Sequence, residues 1–406
     1  MDKLIGILGL FVLVFIAYLL SDNKKKIDWK LVITGIVLQL VFALLILKFP
    51  PGQKAFAVAS DCITKLLDFT KEGTAFLFGD LIKVDKFGFL FALQILPTII
   101  FFSALMSVLY HVGAMQPIIK GLAKVMAKLL GTSGAETLSA TANIFVGQTE
   151  APLVIKPFIK SMTKSELLTV MTGGMATVAG GVMAGYVAMG VNAGHLMAAS
   201  IMSAPASLII AKIMVPETET PVTKGKVEME LESTSANVID AAANGASEGL
   251  SLALNVGAML LAFVALVALV NALIGWIGGL VGMDYLSLNW ILGRLFAPIA
   301  YIMGVPANDI IAAGDLLGQK IVLNEFVAYA NLAPHIENAT LSPKTVTILT
   351  YALCGFANFS SIAVQIGGIG GLAPERRSEI AKLGMKSLIG GSLAAFMTAV
   401  LAGILV

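Results

Sequence analysis

Two apolar stretches of the sequence each contain a glutamate beside side-chain amides. The first includes Asn143, Gln148 and Glu150, and the second includes Asn324 and Glu325. A carboxylate oxygen accepts hydrogen bonds from hydroxyl groups, and a side-chain amide both accepts and donates them. These residue types therefore have the chemistry to bind a neutral solute that is rich in hydrogen-bonding groups.

The composition indicates the surroundings in which these polar residues lie. Apolar residues make up 57% of the chain and charged residues only 13%, whereas about 25% is usual in soluble proteins. The net charge of +2 provides no strong field for nucleic acid. The sequence predicts an all-α polytopic membrane protein, in which a charge at mid-membrane costs about 2.5–3.5 kcal/mol and is functional by default.

Other chemistries have weak support. The two cysteines and the three scattered histidines form no disulfide framework and no metal motif. A phosphate loop of the type GxxxxGK[ST] is absent from the sequence, which disfavours transport driven by ATP. An intramembrane enzyme could use paired carboxylates as acid and base, but no nucleophile accompanies them. We therefore expect a protein that is not an enzyme.

Eight segments are long and apolar enough to cross about 30 Å of hydrocarbon, which takes about 20 helical residues. We divide the uncharged stretch Leu167–Ala211 into two helices at Val191–Gly194. The predicted spans are Leu4–Leu20, Leu31–Leu47, Phe87–Tyr110, the two halves of Leu167–Ala211, Leu250–Met283, Thr345–Pro374 and Ser387–Val406.

Basic residues between the spans predict the orientation. Their clusters near residues 24–30, 120–128, 160–164 and 376–386 fall on the cytoplasmic side if both termini are outside. The exception is Gln53–Lys86, where lysines and acidic residues alternate on the outer side. Within it, Ala55–Phe69 has the pattern of an amphipathic helix at the membrane interface.

Residues 131–162 and 304–338 are too polar to span a membrane and too apolar for loops. The first arm of 131–162, about 13 residues, reaches only about 20 Å, which predicts a re-entrant helical hairpin with its tip at Val146–Glu150. Each region precedes a span interrupted by small and polar residues, at Thr172–Gly181 and Gly355–Ser361. The charge map places the two hairpins on opposite sides. Inverted repeats with broken helices are typical of secondary transporters.

Four units follow from these patterns. Residues 1–86 form a scaffold with an interfacial helix, and residues 87–215 form the first repeat with the hairpin 131–162. A cytoplasmic linker and an interfacial helix occupy residues 216–249. The second repeat covers residues 250–406 and contains the hairpin 304–338.

Each polar residue also has a purely structural interpretation. Glu150 and Glu325 could pair with Lys156 and Lys320 or cap helix ends. An asparagine such as Asn143 often joins neighbouring membrane helices by a hydrogen bond. A threonine or serine in a helix, such as Thr177 or Ser361, can bond back to its own backbone.

Three strings resemble signatures of the concentrative nucleoside transporter family: VGQTEAPLVIKP at 146–157, NEFVAY at 324–329 and CGFANFSS at 354–361. The similarity extends over nearly the whole chain. It implies eight transmembrane helices, two re-entrant hairpins, interfacial helices and a homotrimer in the bacterial inner membrane. It also implies cation-coupled uptake of nucleosides such as uridine, without an organic cofactor.

The resemblance further implies a role for individual residues. The sodium ligands would be Asn143, Thr177 and the carbonyls of Val146 and Val178; some members have serine at the position of Thr177. Nucleobase contacts would come from Gln148, Thr149 and Glu150, with Val182 and Leu252 nearby. Phe356 would shape the pocket, and ribose contacts would come from Glu325, Asn358 and Ser361. Some members use protons, so proton-coupled symport is an open alternative, and a solute channel is a weaker one.

Overall fold

The protein is described by a computed structural model that covers residues 2–88, 90–227, 235–280, 282–283 and 285–406. One isolated bridge joins Ser133 to Lys224; otherwise the described residues form helices, turns and coil. The predicted all-α class is confirmed. Residues 228–234 of the predicted linker lie outside the described residues, and the helix that follows them begins at Val238.

The described residues of the first half of the chain form eleven α-helices. They are α1 (Asp2–Leu19), α2 (Trp29–Leu47), α3 (Pro50–Phe78), α4 (Val84–Phe87), α5 (Phe91–Gln94), α6 (Leu96–His111), α7 (Met115–Leu130), α8 (Gly134–Ala142), α9 (Lys164–Ala176), α10 (Gly180–Ala188) and α11 (Ala193–Met214).

The second half of the described chain continues with seven. They are α12 (Val238–Leu280), α13 (Leu288–Ile302), α14 (Ile310–Val322), α15 (Glu325–Glu337), α16 (Pro343–Leu353), α17 (Phe359–Leu372) and α18 (Arg377–Leu405).

Helices α9, α11 and α18 pack on one another and form the buried centre. Helix α12 packs on α6 through Gly245 and Gly249 and has no buried residue between Gly257 and Ile277. Within the described residues, six segments are long and apolar enough to cross a membrane. They are Trp29–Leu47, Phe91–His111, Lys164–Ala188, Ala193–Met214, Val238–Leu280 and Pro374–Leu405. These match six of the predicted spans, and the first predicted span corresponds to α1.

The remaining predicted span, Thr345–Pro374, is two helices, α16 and α17, separated at the interruption that the sequence indicates. Two helices are absent from our prediction. Amphipathic α7 occupies a stretch that we treated only as a charged connection, and α13 lies where we expected no element. In addition, α12 begins at Val238 rather than Leu250.

The two predicted hairpins are pairs of short elements. In the first, α8 packs on a 3₁₀ helix, Ala151–Ser161, which has proline at 152 and 157. The prolines remove backbone donors and account for the irregular second arm. In the second, α14 packs on α15. The re-entry of these pairs into a bilayer stays a prediction.

Asp22 joins three parts of the fold just after α1. Its carboxylate accepts hydrogen bonds from Lys386 and from Lys164, the latter at 3.0 Å, and its backbone N–H donates to the Met214 carbonyl at 2.9 Å. Partial burial raises the pKa of Asp22, but the two ammonium groups outweigh it and hold the pKa below its usual value. The ionised form is therefore part of the folded structure.

Helix α3 is amphipathic, as its sequence predicts, but large apolar side chains lie on its exposed side. Phe69, Phe76 and Leu77 are all well exposed, and Phe76 retains 88% of its surface. Leu67, Thr70 and Thr74 face inward and are buried. Such a helix would place its outer face against lipid or another subunit.

Candidate functional site

Two interruptions in helices, on separate parts of the chain, meet at one place. The first break is residues 177–179, between α9 and α10, and the second break is residues 354–358, between α16 and α17. The Phe356 N–H of the second break donates to the Thr177 carbonyl of the first at 3.2 Å. Backbone groups freed by a break must find hydrogen-bond partners inside a membrane protein. Here a donor of the second break and an acceptor of the first break pair with each other.

Glycines make this close approach possible. A Cβ added to Gly355 would lie 2.8 Å from the Met175 carbonyl oxygen, and one added to Gly174 would lie 2.7 Å from Cβ of Gln148. Atoms at such separations overlap. The absence of side chains at these positions therefore lets the second break and the first hairpin pack directly on α9.

The first tip, residues 146–150, packs against α17. The Gln148 amide nitrogen donates to the Ser361 hydroxyl at 3.2 Å, and the Thr149 side chain fits against Gly368, where an added Cβ would be 2.7 Å from Thr149 Cγ2. Helix α8 ends at Ala142, and its C-terminal capping residue, Asn143, lies three residues before the tip. The structure thus joins Gln148 and Ser361, which are far apart in the sequence.

The second tip, residues 323–325, places a buried carboxylate next to the second break. Glu325 is 5% exposed; its two carboxylate oxygens accept from the Tyr186 hydroxyl at 3.1 Å and from the Asn358 amide at 2.8 Å. Asn324 caps α15 by accepting from Val327 N–H at 2.9 Å. Glu325 is the first residue of α15, where the helix dipole stabilises a negative charge.

Asn358 is held in one orientation by its own helix. It caps α17, and its amide oxygen accepts from the Ser361 N–H at 2.9 Å and from the Ser360 hydroxyl at 2.7 Å. The amide nitrogen is then directed to Glu325. The capping motif therefore determines which end of the amide faces the carboxylate.

Some buried polar atoms at this place lack a partner. Among the described residues, the amide oxygen of Gln148 and the amide nitrogen of Asn324 are buried without a hydrogen bond. Buried polar atoms are nearly always hydrogen-bonded in folded proteins. An acceptor on one tip and a donor on the other are therefore available to a bound molecule.

A second group of oxygens lies between the first tip and the first break. The Asn143 amide nitrogen donates to Ser139 O at 3.1 Å, which leaves its buried oxygen unpaired. The Thr177 hydroxyl donates to Gly173 O at 3.0 Å, and the Gly180 N–H donates to Phe145 O at 3.2 Å. The last of these contacts, together with a separation of 3.3 Å between a Cβ added to Gly147 and Cβ of Ala179, brings residues 145–147 alongside the first break.

Three family models match consecutive parts of the sequence. The N-terminus of the Na+ dependent nucleoside transporters matches residues 8–81, a nucleoside recognition (Gate) region matches residues 92–193, and the C-terminus of the Na+ dependent nucleoside transporters matches residues 195–403. The chain belongs to the concentrative nucleoside transporter family. Its members are membrane transporters and not enzymes.

Two bacterial relatives match this concentrative nucleoside transporter over all or nearly all of their length. The chain is 50% identical to an uncharacterized transporter, YutK, of Bacillus subtilis, with 100% of both chains covered. It is 45% identical to the nucleoside permease NupC of Helicobacter pylori, over 100% of this chain and 98% of that one. The structure of CNTnw in an inward-facing substrate-bound state is 47% identical, with a TM-score of 0.94 over 100% and 98% of the two chains.

The two glutamates that we predicted to lie in the site of this transporter differ from each other in their surroundings. Glu325 is buried, whereas Glu150 is exposed and accepts a hydrogen bond from the hydroxyl of its neighbour Thr149 at 3.1 Å. Lys320 is fully buried, and its ammonium donates to the Ala352 carbonyl at 2.9 Å. Lys320 lies on the same hairpin as Glu325, and its ammonium caps the C-terminal end of α16.

The apolar residues of the predicted site border the same region. Val182 is buried on α10, Leu252 is half-buried on α12, and Phe356 is half-buried in the second break. Both α10 and α12 approach Ser103 of α6 through glycines that precede Val182 and Leu252. Their contacts with a solute stay predictions.

Sequence reasoning did not identify Tyr186 as a partner of Glu325. It lies in an apolar stretch of α10 and packs against Phe326 and Tyr329, with ring centroids 5.0 Å and 4.3 Å away. Phe91 adds a further ring, 5.8 Å from Phe326. Nothing in the local sequence separates such a tyrosine from ordinary core residues. Asn324 and Ser360 were inside the recognised strings, but we gave them no role.

Proposed function

We propose that this transporter carries nucleosides, uridine among them, into the cell together with sodium. The observation that supports it best is the pairing of Glu325 with Asn358, together with the unpaired amide oxygen of Gln148 and the unpaired amide nitrogen of Asn324. A fixed carboxylate–amide pair and a free donor and acceptor suit a neutral molecule with hydroxyl groups at one end and a hydrogen-bonding ring at the other.

In this proposal the ribose binds at the second tip and the second break. Adjacent hydroxyls of the sugar donate to Glu325, while Asn358 and Ser361 complete the contacts. The base binds at the first tip, where the Gln148 amide can match the donors and acceptors of either a purine or a pyrimidine edge. Thr149 and Glu150 border the base, and Val182, Leu252 and Phe356 supply apolar surface.

Sodium binds beside the first tip in the same proposal. Its ligands are the Asn143 amide oxygen, the Thr177 hydroxyl and the backbone carbonyls of Val146 and Val178. The unpaired Asn143 oxygen fits this role because unwound backbone carbonyls and neutral side-chain oxygens are the usual ligands of sodium in broken-helix transporters. The residues present therefore fit the ion.

Coupling follows from the position of the ion between the first tip and the first break. Bound sodium would hold residues 143–146 against residues 177–178 and thereby fix Gln148 for the base. Each sodium ion entering the cell gains about 2.3 kcal/mol per 100 mV of membrane potential. That energy alone supports a roughly fiftyfold accumulation of a neutral solute at one ion per solute.

We further propose that the protein is a homotrimer in the bacterial inner membrane, with both termini outside. The 43-residue helix α12 has no buried residue between Gly257 and Ile277, and this exposed surface supports contact with lipid or with another subunit. At 1.5 Å per residue this helix is about 65 Å long, twice the hydrocarbon thickness, so part of it extends beyond the bilayer.

Uptake of radiolabelled uridine into proteoliposomes tests the proposal. A sodium gradient should drive accumulation, and replacing sodium with choline should abolish it. Accumulation driven by a proton gradient in the absence of sodium would support the alternative in which a proton is the coupling ion. Saturable uptake that never exceeds equilibration under any gradient would contradict symport and favour a channel or facilitator.

A further inference from the structure

A cavity of about 460 Å³ lies outside the candidate site, between helix α3 and the ends of α5, α6 and α10. Its volume falls in the range of about 300–1,000 Å³ that is usual for small-molecule pockets. Helix α10 extends from the first break to this cavity, so the two places are about 12 Å apart along the helix axis. We call this space the α3 cavity.

A cluster of aromatic rings borders the space between the α3 cavity and Glu325. Tyr186, which donates to Glu325, is followed directly by Val187 of the cavity wall. Phe91 of the same cluster is followed on α5 by Leu93 and Gln94, which also line the cavity. The cluster of rings and the cavity thus share two elements and lie next to each other.

One wall of the α3 cavity is polar. Ser60, Thr64, Asp68 and Lys71 line it, and their spacing places them on one stripe of α3. The Lys71 ammonium and the Asp68 carboxylate pair at 2.7 Å, so the wall has no unbalanced charge. This arrangement suits a neutral molecule that forms hydrogen bonds and disfavours an ion.

Two buried polar atoms lining the α3 cavity have no partner. The Thr70 side chain is only 7% exposed, and its hydroxyl is without a hydrogen bond. The Gln94 amide nitrogen is likewise buried and unpaired. Unpaired buried groups of this kind cost about 1–3 kcal/mol each. Rotation of either side chain toward the cavity would let a bound molecule with hydroxyl or carbonyl groups supply the missing partner.

The lining also contains the apolar side chains of Leu67, Ile82, Leu93 and Val191. A lining that combines aliphatic side chains with hydroxyls and amides suits a nucleoside, which has both apolar ring faces and hydrogen-bonding groups. We propose that the α3 cavity is a second nucleoside-binding site, on the side of the protein that the loop charges predict to be external. The inference rests on the proposed function, because the substrate class comes from it.

Thiol protection tests this site separately from the central one. Cys62 on α3 is exposed and Cys354 is buried, so Cys62→Ser removes the accessible thiol. Thr64→Cys then introduces a thiol in the cavity wall, and Phe76→Cys provides a matched control on the exposed side of the same helix. Both are made with and without Glu325→Gln, which disables the proposed central site, and the detergent-solubilised proteins are labelled with a methanethiosulfonate reagent.

Uridine should slow labelling of Thr64→Cys severalfold, with or without Glu325→Gln, and leave Phe76→Cys unchanged. Thr70→Val keeps the shape of the wall but removes the unpaired hydroxyl, so it should raise the uridine concentration needed for protection. Absence of protection at Thr64→Cys overturns the second site, as does protection that disappears with Glu325→Gln. The proposed function is tested by a different measurement. It would be refuted if the wild-type protein took up no uridine, whatever the outcome of the labelling experiment.

Discussion

Replacement of Glu325 by glutamine examines the centre of the candidate site. The two carboxylate oxygens accept from Tyr186 and Asn358, and a sugar hydroxyl would add a third donor. Glutamine has one acceptor oxygen and introduces an N–H₂ group, so at least one of these donors loses its partner. A hydrogen bond to a charged group contributes about 1.5–3 kcal/mol. That energy corresponds to a roughly 10- to 150-fold weaker affinity for uridine.

The assay is equilibrium binding of uridine to purified Glu325→Gln protein at saturating sodium, with sodium-driven uptake measured in parallel. Glu337→Gln is the matched control, since Glu337 is the exposed last residue of the same helix, α15, and its substitution should leave affinity unchanged. Thermal unfolding of both variants separates loss of binding from loss of folding. Wild-type affinity in a folded Glu325→Gln protein would refute the assignment of Glu325 to the ribose.

Three further substitutions address the ion, the packing of the first tip and the fold. Asn143→Ala removes the unpaired oxygen, so half-maximal uptake should require severalfold more sodium. Gly174→Ala should reduce uptake because its Cβ would overlap the first tip, whereas Gly371→Ala has free space and should be tolerated. Asp22→Asn should make the Tm fall less steeply as the pH is lowered. The lowered pKa of Asp22 in the folded state stabilises the protein above about pH 4, and this stabilisation is lost as the pH falls further.

Each of these predictions has a contrary result. Unchanged sodium dependence in Asn143→Ala would exclude that side chain from the ion site. Equal uptake by Gly174→Ala and Gly371→Ala would show that the first tip adjusts without loss. If the wild-type protein and Asp22→Asn lost stability in parallel on acidification, followed by tryptophan fluorescence, the ionised Asp22 carboxylate would have no part in the acid response.

Hydropathy predicted most of the long helices because burial in lipid imposes long, uncharged helices. The interruptions at 177–179 and 354–358 were also predictable, because runs of small and polar residues interrupt two apolar spans at these places. In contrast, α7 and α13 were not predicted. Both helices are shorter than a membrane crossing, and α7 is also too polar for one, so a criterion based on long apolar segments does not detect them.

The site was predictable in its residue types and less so in its contacts. Glu150 and Glu325 have similar sequence surroundings, but only Glu325 is enclosed, because Tyr186 and Asn358 reach it from two other helices. Such long-range partners leave no local signal. The opposite applies to Asn358, whose capping geometry follows from its position at the start of α17.

The hydrogen bond between the Phe356 N–H and the Thr177 carbonyl belongs entirely to the main chain. Exchange of side chains at either position leaves it in place, except for proline at 356, which has no N–H to donate. Residues that line the pocket can therefore be substituted during evolution, and substrate selectivity can change with them, while the hydrogen bond between the two breaks is kept. Engineering of selectivity has the same freedom at Phe356, whereas the Thr177 hydroxyl is also a proposed sodium ligand.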